Sequence, residues 1–187
     1  LPNAEGPASW QVIRDRDLPR LRLLQLGSAG YDHMLPVLPE GVSLANAGGV
    51  HDAGTAELAV ALALANGREL DRYARDQTAH IWQPGWGRSI ADRQVLIFGY
   101  GRIGAAVERR LAGFEPANVT RIARTAKTDP AVYPVSELAT LLPAADLVVI
   151  TAPATPQTIG IFDAAALALL PDQALGVNGG RGPILVT

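Results

Sequence analysis

Three glycines, Gly99, Gly101 and Gly104, are the residues whose spacing most directly implies chemistry. They follow the apolar run Gln94-Val95-Leu96-Ile97-Phe98 and precede a helical stretch from Ala105 to Ala112, in which Val107 and Leu111 stand four apart. A chain with 19 glycines produces such triplets by chance; a place between a strand and a helix is what gives this one meaning. Gly99 permits a tight turn, Gly101 lets the backbone approach a diphosphate, and Gly104 lets helix and strand pack closely. Tyr100, inside the turn, is expected among the cofactor-binding residues. The N–H groups around Arg102 and Ile103 then face the anion, and the helix dipole adds to the attraction. The competing reading is a glycine-rich turn that holds no ligand.

The following strand bears on which dinucleotide fits. An NAD site places Asp or Glu about 20 residues on, at the end of the second strand. Here Val119-Thr120-Arg121-Ile122 leads into Ala123 where the acid is expected, and Arg124 follows. A missing acid beside an arginine favours the 2′-phosphate of NADP, with Thr125 and Lys127 as further donors. The alternative is that Arg124 stacks on the adenine and the site takes NADP or NAD. Cysteine is absent, which excludes a disulfide framework, a thiolate metal site and a cysteine nucleophile. The three histidines, His33, His51 and His80, fit no metal-ligand spacing, so no metal is expected. His51 reads as a capping or interface residue near a helix start, and His80 as a surface residue.

The elements that must position these residues are legible in outline. Short strands are expected at Trp10 to Ile13, Leu21 to Leu26 and Val42 to Ala45, with a charged turn over 14–17. Gly48-Gly49 breaks the pattern. Asp52 offers an N-cap for one long helix from Gly54 to Gln77, apolar almost all round in its first half and so expected to be buried on most sides. A loop over 78–92 carries Trp82 and Trp86. Strands are then expected at 94–98, 119–122, 132–135, 146–150 and 174–178. Helices are expected from Ser136 to Leu142, capped by Ser136, and from Asp163 to Leu170. Strands alternating with helices imply an α/β fold, a doubly wound parallel sheet with helices on both faces.

Composition bounds the rest. The chain has 187 residues, 48% hydrophobic and 18% charged, so a packed core is expected and disorder is not. A formal charge of −2 argues against a protein built to bind nucleic acid. The longest apolar run, Leu58 to Ala65, falls short of the ~20 residues a membrane span needs. No basic and apolar leader opens the sequence, so a cytoplasmic protein is expected.

Five motifs in order give the chain a resemblance: Ser28-Ala29-Gly30-Tyr31-Asp32, Asn46-Ala47-Gly48-Gly49-Val50 with Thr55-Ala56-Glu57, the glycine turn, Ala152-Pro153-Ala154-Thr155-Pro156-Gln157-Thr158, and Val177-Asn178-Gly179-Gly180-Arg181-Gly182. From about residue 20 to 187 the sequence resembles the D-isomer-specific 2-hydroxyacid dehydrogenases. The resemblance implies a Rossmann-like NAD(P)-binding domain over 93–187, part of a smaller flavodoxin-like substrate domain over 1–50, and an interdomain helix and loop over 51–92. It implies hydride transfer between a nicotinamide and a small 2-oxo or 2-hydroxy acid, such as glyoxylate, hydroxypyruvate, phosphoglycerate or a bulkier 2-oxo acid.

Arg181 resembles the catalytic arginine, whose planar fork suits a substrate carboxylate. Ser28, Ala29 and Gly30 resemble the loop that shares that carboxylate. Thr55, Ala152, Pro153, Thr158 and Gly180 resemble residues around the cofactor. A homodimer through the Thr55–Gln77 helix is implied as well. The family also uses a histidine general acid–base paired with a glutamate, downstream of the arginine motif. No histidine here matches that position, and the chain ends at Thr187, so residues 1–187 alone are expected to be catalytically inactive. A non-catalytic dinucleotide-binding regulator of the corepressor type, sharing the fold, is the alternative. A relative of adenosylhomocysteine hydrolase is disfavoured by the 178–182 motif.

Overall fold

The structure is a computed structural model and describes residues 20–186. The strand expected at Trp10 to Ile13 and the turn over 14–17 lie outside the described residues. The chain divides into two compact units, Leu1–His51 and Asp52–Thr187.

In the first unit, β1 (Leu23–Gln25) and β2 (Ser43–Ala45) pair in parallel with Leu24 opposite Leu44. They are the central parts of the runs at 21–26 and 42–45. A 3-10 turn over Asp32–Val37 drops Met34 onto Leu24 and Leu26, and these three buried side chains form the unit's core.

The second unit opens with α1 (Asp52–Gly67) and α2 (Leu70–Thr78). The single helix expected over 54–77 is therefore two. Gly67 is a poor helix former, and Glu69 takes the left-handed conformation at φ 53°, which ends one helix and redirects the chain into the next. Asp52 is the first helical residue rather than a cap outside the helix.

There follow β3 (Gln94–Phe98), α3 (Arg102–Leu111), β4 (Asn118–Ala123), β5 (Lys127–Thr128), β6 (Ala131–Pro134), α4 (Leu138–Leu141), β7 (Leu147–Ile150), α5 (Ala164–Leu167) and β8 (Leu175–Asn178). The strands form one sheet in the order β5-β6-β4-β3-β7-β8, parallel except for the β5–β6 hairpin, whose first strand the sequence reading missed. Ser136 does not cap a helix: it lies in a 3-10 turn over Val135–Glu137 that begins after extended Pro134 and has no side-chain cap. Asp163 does cap, accepting from the Ala166 N–H at 2.8 Å. That helix stops at Leu167, because the Leu169 and Leu170 N–H groups bond three residues back, to Ala166 and Leu167.

Period-two alternation along β3 builds both layers. Val95 and Ile97, with Leu147, Val149 and Val177, face Ala56, Ala59 and Ala63 of α1 and Val107 and Leu111 of α3. Leu96 and Phe98, with Ile122, Val148 and Ile150, face Leu138, Leu142, Phe162 and Ile184. Phe98 meets Phe162 edge to face, with centroids 5.1 Å apart. Strands buried on both faces read as unbroken apolar runs, as Leu147-Val148-Val149-Ile150 does. Each such side chain contributes about 1.5–3 kcal/mol by burial. The sheet is thereby a rigid platform, and its carboxyl edge is where the chemistry-bearing loops emerge. Among the described residues no helix is long and apolar enough to cross a membrane.

Candidate functional site

The glycine turn sits at the carboxyl end of β3. Gly99 has φ +100°, and a Cβ there would fall 2.3 Å from the Ala152 nitrogen. Only glycine satisfies both constraints. Gly104 serves packing: a Cβ would lie 2.9 Å from the Gly99 carbonyl oxygen and 3.1 Å from Ile97 Cγ2. Gly101 differs, because the place its Cβ would take is open space. The Gly99 and Tyr100 N–H groups both donate to the Ile122 carbonyl, at 2.9 and 2.8 Å, and the Gly101 N–H donates to Gly99 O at 2.7 Å. The first helical bond runs from Ala105 N–H to Gly101 O at 3.0 Å. Arg102, Ile103 and Gly104 are thus the amides ahead of the helical ladder, with no acceptor inside the helix. An anion placed there meets three donors and the positive end of a ten-residue helix. The residues present fit a diphosphate.

The neighbouring loops meet this turn through backbone contact. Thr151 follows β7, takes the Phe98 carbonyl with its N–H at 2.8 Å, and donates its hydroxyl to Gly99 O at 2.9 Å. Ala152 is buried against Gly99 on one side. On the other it meets the loop after β8, where a Cβ on Gly180 would stand 2.7 Å from Ala152 O. Asn178 shapes that loop, accepting from the Gly180 N–H at 3.0 Å and donating to Arg181 O at 3.1 Å. Arg181 is half-buried and leaves the sheet at the same edge as the glycine turn.

The loop after Ala152 is internally braced. The buried Thr158 hydroxyl accepts from Thr155 N–H at 2.8 Å and donates to Pro153 O at 2.7 Å, so its donor is spent on loop shape. Pro153 itself is exposed.

Around the rim, Arg124 and Thr125 are exposed just past the end of β4, and Lys127 is exposed in β5. Thr55 is half-buried in the first turn of α1. The Arg102 Nε–H donates to Asp52 Oδ2 at 3.0 Å, tying the start of α3 to the start of α1 and leaving most of the Arg102 side chain exposed. Tyr100 turns inward: its hydroxyl donates to Glu108 Oε2 at 2.6 Å, and Arg121 of β4 grips both oxygens of the same carboxylate.

In the first unit the 27–30 loop is also braced. Ser28 Oγ donates to Gly30 O at 2.9 Å, Asn46 Nδ2 donates to Ala29 O at 2.7 Å, and His51 Nε2 lies 2.8 Å from Gly27 O. His51 is therefore a loop-fixing residue. Among the described residues no three His, Asp or Glu side chains are grouped to hold a metal ion.

Sequence reasoning brought out the glycines and Arg181 but missed Thr151 as a brace of the turn and Asp52 as the partner of Arg102. A polar residue directly after an all-apolar strand was the available signal for Thr151. No sequence signal links positions 52 and 102.

The D-isomer specific 2-hydroxyacid dehydrogenase NAD binding domain family matches residues 60–187. A glyoxylate/hydroxypyruvate reductase of Arabidopsis thaliana is 31% identical over 189 residues, covering 97% of this chain and 58% of that protein. A D-isomer specific 2-hydroxyacid dehydrogenase of Xanthobacter autotrophicus, solved with NADPH and MES, superposes with TM-score 0.75 at 28% identity over 89% of this chain and 54% of that one. An NAD-dependent formate dehydrogenase of Staphylococcus aureus, solved with NAD, gives TM-score 0.76 at 26% identity over 90% and 52%. The chain spans a little over half the length of the curated relatives it matches. With the family match running through the glycine turn and on past Arg181, the chain belongs to the D-isomer specific 2-hydroxyacid dehydrogenases.

Proposed function

We propose that the whole protein is an oxidoreductase moving a hydride between NAD(P)H and a small 2-oxo or 2-hydroxy acid, D-specific. The observation that carries this reading is the convergence on Ala152: Gly99 lies against its nitrogen and Gly180 against its carbonyl oxygen, so the diphosphate turn and the Arg181 loop share one edge of one sheet. When bound, the nicotinamide supplies or takes up the hydride. The amides of Arg102, Ile103 and Gly104 hold the diphosphate. Thr55, Ala152, Pro153 and Gly180 line the cofactor's remaining length, while Thr158 keeps the 153–158 loop in shape.

Arg181 binds the substrate carboxylate with its fork and draws electron density from the C2 carbonyl as charge develops there. Within the first unit, which the same reading takes as flavodoxin-like and substrate-binding, the Ser28-Ala29-Gly30 loop is the segment assigned to a substrate carboxylate. Exposed Leu58 and Leu62, four apart on α1, support a homodimer through this helix. A cytoplasmic setting belongs to the same reading.

Arg124 favours NADP, since it is exposed at the end of β4 with no carboxylate at Ala123. Titrating nicotinamide fluorescence tests both levels of the proposal. Wild type binds NADPH more tightly than NADH. Arg124→Ala weakens NADPH about tenfold, the low end for a charge-assisted hydrogen bond, and leaves NADH unchanged. Equal effects on both cofactors overturn the NADP preference. Binding of neither cofactor by wild type overturns the dinucleotide reading itself.

A further inference from the structure

We propose that Tyr100, Glu108 and Arg121 act together as positioning residues that set the direction in which the first amides of helix α3 face a bound diphosphate. The inference rests on the dinucleotide reading and adds to it a role for three side chains that face away from the ligand.

The three come from three different elements: the glycine turn, the second turn of α3, and β4. Tyr100 is fixed twice, by its N–H to Ile122 O at 2.8 Å and by its hydroxyl to Glu108 Oε2 at 2.6 Å. Arg121 precedes Ile122 in β4. Its Nε–H reaches the same Oε2 at 2.9 Å, its Nη2 takes Oε1, and its guanidinium carbon lies 5.5 Å from the Tyr100 ring centroid. The Arg121-Ile122 pair therefore holds the turn by backbone and the helix by side chain at once.

The geometry explains what a directional anchor adds. Amides at a helix start point along the helix axis, so the axis decides where the donors aim. Close packing of Gly104 on Gly99 O and Ile97, and burial of Val107 and Leu111 against the sheet, hold α3 in place. Apolar packing is non-directional. Glu108, one turn on from Gly104, adds a directional tie to both the turn and β4.

The chemistry of the cluster argues against a purely stabilising role. The Glu108 and Arg121 side chains keep only about a fifth of their exposure, so both have lost much of their hydration. A well-packed apolar set of similar volume is as stabilising as such a pair, or more so. Directional bonds are what the polar set adds. The charges are also secure: burial alone raises the Glu108 carboxyl, but the bonds from Arg121 and Tyr100 together hold it below its ordinary value. The bond to Glu108 keeps the Arg121 guanidinium firmly protonated, and burial, then the Glu108 bond, raises the Tyr100 phenol.

The test separates aim from stability. In the full chain, Tyr100→Phe removes one hydrogen bond and keeps the ring, and the triple change Y100F/E108L/R121M replaces the polar set with apolar groups. NADPH affinity and the thermal midpoint are measured for each. The proposal expects the triple variant to melt at or above the wild-type temperature while its affinity falls about tenfold, or ~1.4 kcal/mol. Tyr100→Phe binds NADPH about threefold more weakly, with the midpoint lowered by no more than the loss of one hydrogen bond brings. Wild-type affinity in both variants overturns the proposal, as does a triple variant whose weaker binding comes only with a lowered midpoint. If the triple variant does not fold, Tyr100→Phe decides alone. Failure of wild type to bind NADPH or NADH instead removes the dinucleotide reading, and the inference with it.

Discussion

At the carboxyl edge of the six-stranded sheet the chain turns on glycines and leaves amides pointing outward, whereas at the amino edge side chains take up most of the polar groups, with Arg93 Nη2 left buried without a partner among the described residues. There the Asp146 carboxylate accepts from Gln94 N–H at 3.0 Å while its own N–H donates to Gln94 O at 2.9 Å. The Asp146 carbonyl takes Leu175 N–H at 2.9 Å and Arg93 Nη1 at 3.2 Å. Arg93, almost completely buried, also donates to Ser89 O at 2.6 Å, and its own carbonyl accepts Ala117 N–H at 3.0 Å. One aspartate and one arginine thereby lace four segments together. The same strands thus end in two ways: one edge is closed for stability, and the other is kept in shape by close backbone contact so that its donors stay available.

The comparison breaks most visibly at Arg181. If the proposed hydride-transfer reading holds, Arg181→Ala in the full-length protein is expected to lower kcat/KM for a small 2-oxo acid by about 10²–10³-fold, the cost of removing one preorganised donor, while NADPH affinity and the melting midpoint stay at wild type. Steady-state kinetics beside a fluorescence titration read both. Weaker NADPH binding with kcat unchanged at saturating NADPH reverses the assignment.

Gly99→Ala comes next. It forces a left-handed φ on alanine and drives a methyl into Ala152, costing about 1–3 kcal/mol, and it weakens NADPH binding because the turn and the Ala152 loop move apart. Denaturant unfolding of the two proteins checks the first part, and nicotinamide fluorescence the second.

The smallest effect sharpens the contrast from the opposite edge. Arg93→Ala leaves the Ser89 carbonyl without its side-chain donor and a gap among buried atoms, lowering stability by about 1–3 kcal/mol, with no change in NADPH affinity. A cofactor-binding defect in that variant shows that the two edges are coupled through the sheet.

How much of this was legible depends on the distance over which each cause acts. The glycine turn is a local device, and its strand-to-helix context lies within a dozen residues, so turn, flanking elements and parallel sheet were all readable. Asp163 capped as expected because a cap needs only the next three residues. Ser136 failed because the extended Pro134 just before it starts a tight 3-10 turn, which leaves no place for the Ser136 hydroxyl to close a helix end. The break at Glu69 was hidden because a left-handed glutamate has no composition signature. Thr158 fitted its loop motif, but only the structure shows its hydroxyl spent within the loop. Thr151 on Gly99 and Asp52 on Arg102 are contacts across about 50 residues, which neither periodicity nor spacing encodes.

The loop over 79–89 has a practical consequence. Tyr73 donates its hydroxyl to Gly85 O at 2.8 Å and Arg72 donates to Gln83 O at 3.1 Å, so this loop is tied to α2 while Trp82 and Trp86 remain 92% and 100% exposed. Two of the three indoles therefore already emit from an aqueous environment in the folded chain. Their fluorescence is a poor reporter of unfolding and a sensitive one of anything that covers that loop, since only contact with another surface shifts it toward the blue.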